Sequence, residues 1–278
     1  MPCLIARPAP ADVRAAVVPA DGYAYAELTS LSDTGRAALA DEVALAIAYN
    51  GLSQAVMMVS PGDLEDFVHG FSLGAGLVES IDDIYDIRLT PHGDAIAAEV
   101  QVSSRAFWNL KQQRRQLAGN TGCGLCGVEA LDQALPSLPL LPGAALPPAS
   151  HLFDLRDRID AAQQIARRSG AVHAALFVDG DGEIRLCRED IGRHNALDKL
   201  VGALKRQRLD LREGFAVVTS RCSLELIHKA VRAGLPTLVS LSAPTALTVQ
   251  WAREHNLNLI HLPHRNAPRV YSPAPQAV

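Results

Sequence analysis

Along residues 41–60, DEVALAIAYNGLSQAVMMVS, apolar residues recur in alternating positions on both sides of Asn50 and Gly51, which predicts two strands joined by a tight turn. Asn-Gly readily supplies the two left-handed residues of a type I′ hairpin. The period changes at Ser60. Ser60, Pro61 and Asp63 ahead of LEDFVHGFSL predict a helix with Ser60 as N-cap and Pro61 in its first position, ended by Gly74 and Gly76. Alternation returns in IYDIRLT and DAIAAEVQVSS, two half-buried strands about His92, Gly93 and Asp94. A basic helix is then expected from about Ser104 to Leu117, carrying Arg105, Lys111, Arg114 and Arg115. It runs into GNTGCGLCGVEAL, a glycine-rich loop opening a short second helix.

Residues 136–150, PSLPLLPGAALPPAS, hold five prolines, which removes backbone donors and reads as a linker without regular structure. Beyond it the pattern predicts a helix around Asp157 to Arg168, then VHAALFV and EIRLCRED as a hairpin about DGDG. Helices and strands alternate from there. NALDKLVGALKR places Leu197, Leu200, Val201 and Leu204 at helical spacing, and FAVVTS, SLELIHKAVRAG, TLVSLS, TALTVQWAREH and NLNLIHL follow as strand, helix, strand, helix, strand. Short Val/Leu-rich strands between helices imply a mainly parallel sheet covered on both faces, and hence an α/β fold. The expected organisation is a disordered arm over 1–20, a smaller N-terminal α+β domain over 21–118, and a CxxC loop, short helix and linker over 119–150. A C-terminal domain over 151–271 and a tail over 272–278 complete it.

Composition narrows the function classes. A chain of 278 residues that is 48% hydrophobic can bury a sizeable core, so a disordered or fibrous protein is excluded. With 26 Lys+Arg against 30 Asp+Glu the net charge is −4, and no global positive field is available for nucleic acid. Five cysteines, Cys3, Cys123, Cys126, Cys187 and Cys222, are too few and too odd for a disulfide framework and point to a reducing compartment. The first twenty residues lack the apolar run of a signal peptide, and no later stretch reaches about 18 uncharged apolar residues. A cytoplasmic protein with no membrane partner is expected.

The sharpest chemical signal is Cys123-Gly124-Leu125-Cys126, flanked by Gly122 and Gly127. Two ligands do not make a self-contained zinc site, so no structural metal is expected; a site shared with His173 or Cys222 is the weak exception. Flanking glycines, a following helix N-terminus and the upstream Arg114 and Arg115 all favour thiolate over thiol. Such a pair can close a disulfide or accept sulfur as a persulfide, and spacing alone does not choose between them. A second signal is REDIGRHNALDK, residues 188–199. Its bland reading is a solvated loop with an i,i+4 pair on the helix. Its functional reading is a cleft where Asp190 orients His194, or where Arg188 and Arg193 hold an anion. Third, the C-terminal strands end in Thr219, Ser220 and Arg221, in Ser240, Ser242 and Thr245, and in His261, His264 and Arg265. Ligands of open α/β sheets sit beyond such ends, where helix N-termini bind phosphate, so a nucleotide-like ligand is expected there. N-capping by Ser223 and Ser242 is the bland reading of the hydroxyls. His173 reads as a buried strand histidine, Cys187 and Cys222 as packed thiols.

NTGCGLCGVEAL, REDIGRHNALDKL, TSRCSLELIHKA and LSAPTALTVQWA, with VALAIAYNGLSQAVMMVSPGDLEDFVHGFSLGAGLVES, together resemble the FdhD family of formate dehydrogenase accessory sulfurtransferases from about residue 40 to 271. The resemblance implies a cytoplasmic sulfur carrier, and a homodimer. It would take sulfur from a cysteine desulfurase and deliver it to the molybdenum cofactor before that cofactor enters formate dehydrogenase. Carried over, Cys123 would bear the persulfide and Cys126 would assist or share the sulfur. The family also implies binding of the bis(molybdopterin guanine dinucleotide) form of the cofactor, for which a guanine nucleotide can stand in. Recognition maps to Leu262, Pro263, His264, Arg265, Asn266 and Ala267, with Ser220, Arg221, Arg193 and His194 as further candidates. The family pattern there is glycine-containing with a basic residue at each end. This chain has Asn266 and Ala267, leaving His264, Arg265 or Arg269 to supply the basic contacts. The resemblance further implies a cytidine-deaminase-like three-layer C-terminal domain. Deaminase chemistry does not transfer: it needs H-x-E followed by P-C-x-x-C, and His173 is followed by two alanines.

Overall fold

The computed structural model describes residues 22–119 and 135–275. It has a two-stranded ribbon, a four-stranded sheet and a six-stranded sheet. The ribbon pairs β1 (Tyr23–Glu27) with β2 (Ser30–Ala37), strands that the polar alternation of this stretch did not announce. The four-stranded sheet has the order β4 (Leu52–Val59), β3 (Val43–Tyr49), β6 (Ala95–Val102), β5 (Ile84–His92). Asn50 and Gly51, at φ 46° and 80°, make the expected turn between β3 and β4. One face is core: Val43, Leu45, Ile47 and Tyr49 of β3 are buried at every second position, as are Ile96, Ala98, Val100 and Val102 of β6.

Helix α1 (Leu64–Gly74) starts later than the sequence suggested. Its N-cap position is Asp63 in the left-handed region, and neither Ser60 nor Asp63 caps it with a side chain, because Ser60 is committed elsewhere. α2 (Ser104–Gly119) follows β6. The proline-rich stretch is irregular until a 3-10 turn at Ala149–Leu152, yet it is tied down: Leu141 is buried, and its backbone and those of Ala144 and Ala145 accept or donate hydrogen bonds with His255, Asn256 and Asn258.

The single helix expected over 157–168 is two, α3 (Leu155–Ala162) and α4 (Ala166–Ser169). The Glu189 carboxylate causes the break. It accepts from the backbone N–H of Gln164, Ile165 and Ala166, satisfying donors that a continuous helix would have used.

The six-stranded sheet runs β12 (Arg269–Ser272), β11 (Asn258–His261), β10 (Thr237–Ser240), β9 (Phe215–Val218), β7 (His173–Val178), β8 (Ile184–Asp190). It is mixed rather than mainly parallel. β9, β10 and β11 pair in parallel, while the β7–β8 hairpin and the unforeseen β12 add antiparallel pairs. β7 opposes both β8 and β9, so β8 still points the same way as β9–β11. The connections are α5 (Arg193–Arg206), α6 (Leu224–Ala233) and α7 (Ala246–Glu254).

Phe177, Ala216, Val218, Leu238 and Leu259 of this sheet join α5, α6, α1 and the four-stranded sheet in one hydrophobic cluster. Leu176, Val178, Val217, Val239 and Ile260 face the other way, onto Leu155 and Ile159 of α3. α1 and α5 cross at glycine: a Cβ on Gly70 would overlap the carbonyl oxygen of Asp198, and one on Gly202 that of Asp66. That close approach is what lets the two sheets share a core.

Candidate functional site

Val218, Ser240 and His261 are register partners at the carboxyl ends of β9, β10 and β11, so those ends are level. His173 opens β7 opposite Asp190, the last residue of β8, and therefore lies at the same edge. Helices α5, α6 and α7 begin just beyond these strand ends, turning their free backbone N–H groups toward one rim.

Arginines converge on that rim. Arg193 is the first residue of α5 and Arg221 is exposed just past β9. Burial, Arg193 and Arg221 together hold His173 below the ordinary histidine range. His173 is half-buried rather than fully interior, and stays neutral where its neighbours are cationic. Burial, Arg269 and Arg156 do the same to His261. The Nε atoms of Arg156 and Arg193 and Nδ1 of His261 are buried with no hydrogen-bond partner.

The hydroxyls foreseen as ligand contacts are mostly spent on the backbone. Ser220 Oγ donates to the Arg221 carbonyl, and Ser240 Oγ to those of Ser220 and Ser242. Thr245, not Ser242, caps α7 by accepting from Thr248 N–H. Ser223 stands at the N-cap of α6 without a side-chain cap bond and faces His194 instead. In the last-strand segment Leu262 is buried and Pro263 half-buried, while His264, Arg265, Asn266 and Ala267 are exposed. Arg156 was missed by sequence reasoning. From α3 its Nη2 donates to the carbonyls of Leu241 at 2.8 Å and Leu262 at 2.5 Å, tying together the loops after β10 and β11. One arginine on an amphipathic helix carries no sequence signal for such a role.

The segment 188–199 is not a solvated loop: its centre is an interior network, while His194, Asn195 and Asp198 line a cleft. Asp190 and Lys199 are fully buried and paired at 2.7 Å. Asp190 also accepts from the N–H of Ser60 and Gly192 and from Asn195 Nδ2, and Lys199 donates to the carbonyls of Ser60 and Glu189. Burial lowers the Lys199 pKa from its ordinary value while the Asp190 carboxylate opposes the fall. Ser60 Oγ accepts from Ile191 N–H, which is why it does not cap α1. Arg188 is bound to Asp66 at 2.8 Å and faces Asp63, so it is not free to hold an anion.

Asp190 does not orient His194 either. His194 Nε2 meets Glu225 at 2.6 Å and Ser223 Oγ at 3.3 Å. Burial lowers its pKa, Glu225 raises it, and Arg193 and Lys229 lower it. His194 lines a cleft of about 250 Å³ with Phe71, Pro136, Glu225, His228 and Lys229. Arg193 thus faces the strand-end rim while His194 faces this cleft between α1, α5 and α6.

Cys123 and Cys126 lie outside the described residues. Of the other thiols, burial pushes Cys187 and Cys222 up to about 12, which leaves both protonated and unreactive at neutral pH. Among the described residues no group of three or more His, Cys, Asp or Glu could hold a metal ion, and no helix is long and apolar enough to cross a membrane.

The sequence pattern of the FdhD/NarQ family matches residues 40–278. A protein of Bordetella petrii named sulfur carrier protein FdhD is 43% identical over 234 residues, covering 84% of each chain. Proteins of the same name from Cupriavidus necator and Xanthomonas euvesicatoria pv. vesicatoria are 42% and 43% identical, covering 84% of this chain and 81% and 83% of theirs. In fold, the chain is similar to the crystal structure of a candidate formate dehydrogenase accessory protein from Desulfotalea psychrophila. The TM-score is 0.68 at 20% identity, over 90% of this chain and 94% of that one. The protein described here belongs to the FdhD/NarQ family.

Proposed function

We propose that this chain is a cytoplasmic sulfur carrier that takes persulfide sulfur from a cysteine desulfurase on Cys123 and passes it to the bis(molybdopterin guanine dinucleotide) cofactor, its substrate, on the way to formate dehydrogenase. The observation that carries this reading is the 43% identity to a named sulfur carrier over 84% of both chains, with the Cys123–Cys126 pair inside the family match. The accessory role in formate dehydrogenase maturation rests on the family resemblance, a homodimer likewise. A cytidine-deaminase-like arrangement of the C-terminal half fits its helix-flanked mixed sheet.

The chemistry balances in two steps. The Cys123 thiolate attacks the outer sulfur of the donor persulfide, a sulfur–sulfur bond forms as another breaks, and the donor thiolate leaves. For release, the Cys126 thiolate attacks the inner sulfur of the Cys123 persulfide. A disulfide closes and hydrosulfide departs to become a ligand of molybdenum, with the thiol pair supplying its two electrons. An external thiol reductant then reopens the disulfide. The cofactor's guanine-nucleotide phosphates would lie along the strand-end rim, where Arg193 and Arg221 converge beside the exposed His264–Ala267 segment and where helix N-termini favour anions. Ser220 would act through the backbone it holds, and His194 from the neighbouring cleft.

Intact mass spectrometry after incubation with a desulfurase and cysteine tests the first step. A gain of one sulfur, about 32 Da, that vanishes in Cys123→Ala is expected, since only a thiolate nucleophile explains it. A dithiol oxidoreductase would instead show no such gain and would lose turnover in Cys126→Ala. A cofactor-holding chaperone would mature its target normally with both cysteines replaced.

A further inference from the structure

Helix α2 is polarised in two ways. Ala106 and Leu110 are buried, and at about 100° per residue the position directly opposite that stripe is Trp108, which is 56% exposed. Trp108 therefore stands at the centre of the helix's solvent face among the described residues. Around it are Arg105 and Lys111, both exposed, with the Lys111 ammonium lying 4.3 Å from the Phe107 ring centroid. Arg105 is held toward Glu79 and Asp83 at 3.1 Å and 3.3 Å, beside a groove of about 320 Å³ that Asn109 and Gln112 also line. The sequence of α2 has four basic residues, Arg105, Lys111, Arg114 and Arg115, and no acidic one, in a chain of net charge −4.

The position of this face along the chain says what it meets. α2 ends at Gly119, four residues before Cys123. Trp108 is roughly 16 Å from that helix end, and four extended residues add at most about 14 Å. A standard protein–protein footprint covers about 800 Å² per partner, roughly 32 Å across. Any protein that brings a persulfide to Cys123 can therefore cover Trp108 in the same encounter. Tryptophan and arginine are the residues most enriched among interface anchors, and a lysine at the rim adds charge.

We propose that the solvent face of α2, centred on Trp108 and flanked by Arg105 and Lys111, is the docking surface for the sulfur-donor enzyme, which meets it with an apolar patch rimmed by carboxylates. This inference rests on the sulfur-carrier reading above. Lys111, which has no acidic neighbour on its own helix, attracts that acidic rim, and Trp108 fills the apolar patch once the two surfaces meet. Docking fixes the two sulfurs within reach of each other, so the thiolate transfer occurs inside a complex rather than on random collision.

Two sulfur sources separate docking from chemistry. In the full-length protein, Trp108→Ala should raise the KM for the desulfurase about tenfold with little change in kcat, the loss expected of an interface anchor. Lys111→Glu should raise it less and should flatten its dependence on salt. With inorganic polysulfide as donor, where Cys123 attacks a terminal sulfur and a shortened polysulfide leaves, both variants should gain 32 Da at the wild-type rate. Far-UV circular dichroism and melting confirm the fold. Wild-type kinetics with the desulfurase in a folded Trp108→Ala overturns the docking proposal. So does an equal loss with both donors, or a shift from dimer to monomer on size exclusion, which would assign Trp108 to a second copy. If the wild-type protein gains no sulfur from either source, the sulfur-carrier reading itself fails.

Discussion

Two polar clusters end up as opposites. Residues 188–199 run from the end of β8 into α5, residues 262–267 follow β11, and each segment is rich in basic and hydrogen-bonding side chains. The first has an interior centre: Asp190, Asn195 and Lys199 are buried and their bonds lead to Met58 of β4 and to Ser60 just after it. The second keeps His264 through Ala267 in solvent, and only its first residue is pinned. Polarity alone does not tell these fates apart. Whether a partner waits at the right place in a distant segment does, and in the first cluster the partners are 122 to 139 residues away in sequence. The buried members of the first cluster are therefore spent on joining the sheets, while Arg193 and His194 at its edge and the whole of the second cluster face outward.

The sharpest way to break this contrast is to remove one partner of the buried pair. Lys199→Met leaves the Asp190 carboxylate in the interior without its cation, and Asp190→Ala strands the ammonium in the same way. Each should cost about 3 to 5 kcal/mol, measured by denaturant unfolding monitored by circular dichroism. The double variant Asp190→Ala with Lys199→Met should be less destabilised than the sum of its parts, because no unpaired charge is left. A loss below about 1 kcal/mol for either single change would mean that water reaches the pair and that the cluster is not interior.

The elements were largely legible and the cluster's role was not. Asn50-Gly51, the Leu197–Leu204 spacing and the Val/Leu-rich strands β9–β11 are local signals, set within a few residues, and the structure has them where the pattern placed them. Ser60, Pro61 and Asp63 make as good a local signal for a helix start, yet Ser60 Oγ is taken by Ile191 N–H. Likewise the helix expected through Arg168 breaks because Glu189 competes for its N–H groups. In both cases a contact from far along the chain overrides propensity, and a single sequence holds no trace of it. β12 and the β1–β2 ribbon escaped for another reason: short, exposed strands lack the apolar alternation that marks a buried face. For the rim, the strand ends were found because α/β sheets place them by topology, whereas Arg156 was not, since its partners are backbone carbonyls.

A smaller effect sharpens the contrast through pH. His228 of α6 is buried against Trp251, with ring centroids 4.8 Å apart, and its pKa is lowered to about 4. Burial is the main cause; Arg232 and His255 add to it and Glu225 opposes it. The unfolded chain binds a proton near the ordinary histidine value of about 6.5 and the folded chain does not, so stability rises with pH between about 4 and 6.5 and is level above. The contribution should be about 2 kcal/mol, read as the difference in unfolding free energy between pH 7 and pH 4.5 that His228→Gln removes. If the variant keeps the wild-type slope, the interior of α6 is more open than its neighbours imply.

The smallest expected change in stability lies at the rim. His264 and Arg265 are exposed, and no ion pair involves either among the described residues. Replacing both with alanine should move the unfolding free energy by less than about 0.5 kcal/mol, the usual range for surface positions away from special backbone. The same double variant should nonetheless weaken binding of GDP, a stand-in for the cofactor's nucleotide end, by several-fold, with a shallower salt dependence, as calorimetry would read. Charge-assisted bonds to phosphate supply affinity only when a ligand is present, so these side chains can matter for binding while contributing nothing to the fold. Loss of stability without loss of affinity would reverse the assignment: the segment would then be part of the frame, as Asp190, Asn195 and Lys199 are, and the nucleotide would have to sit on Arg193 and Arg221 alone.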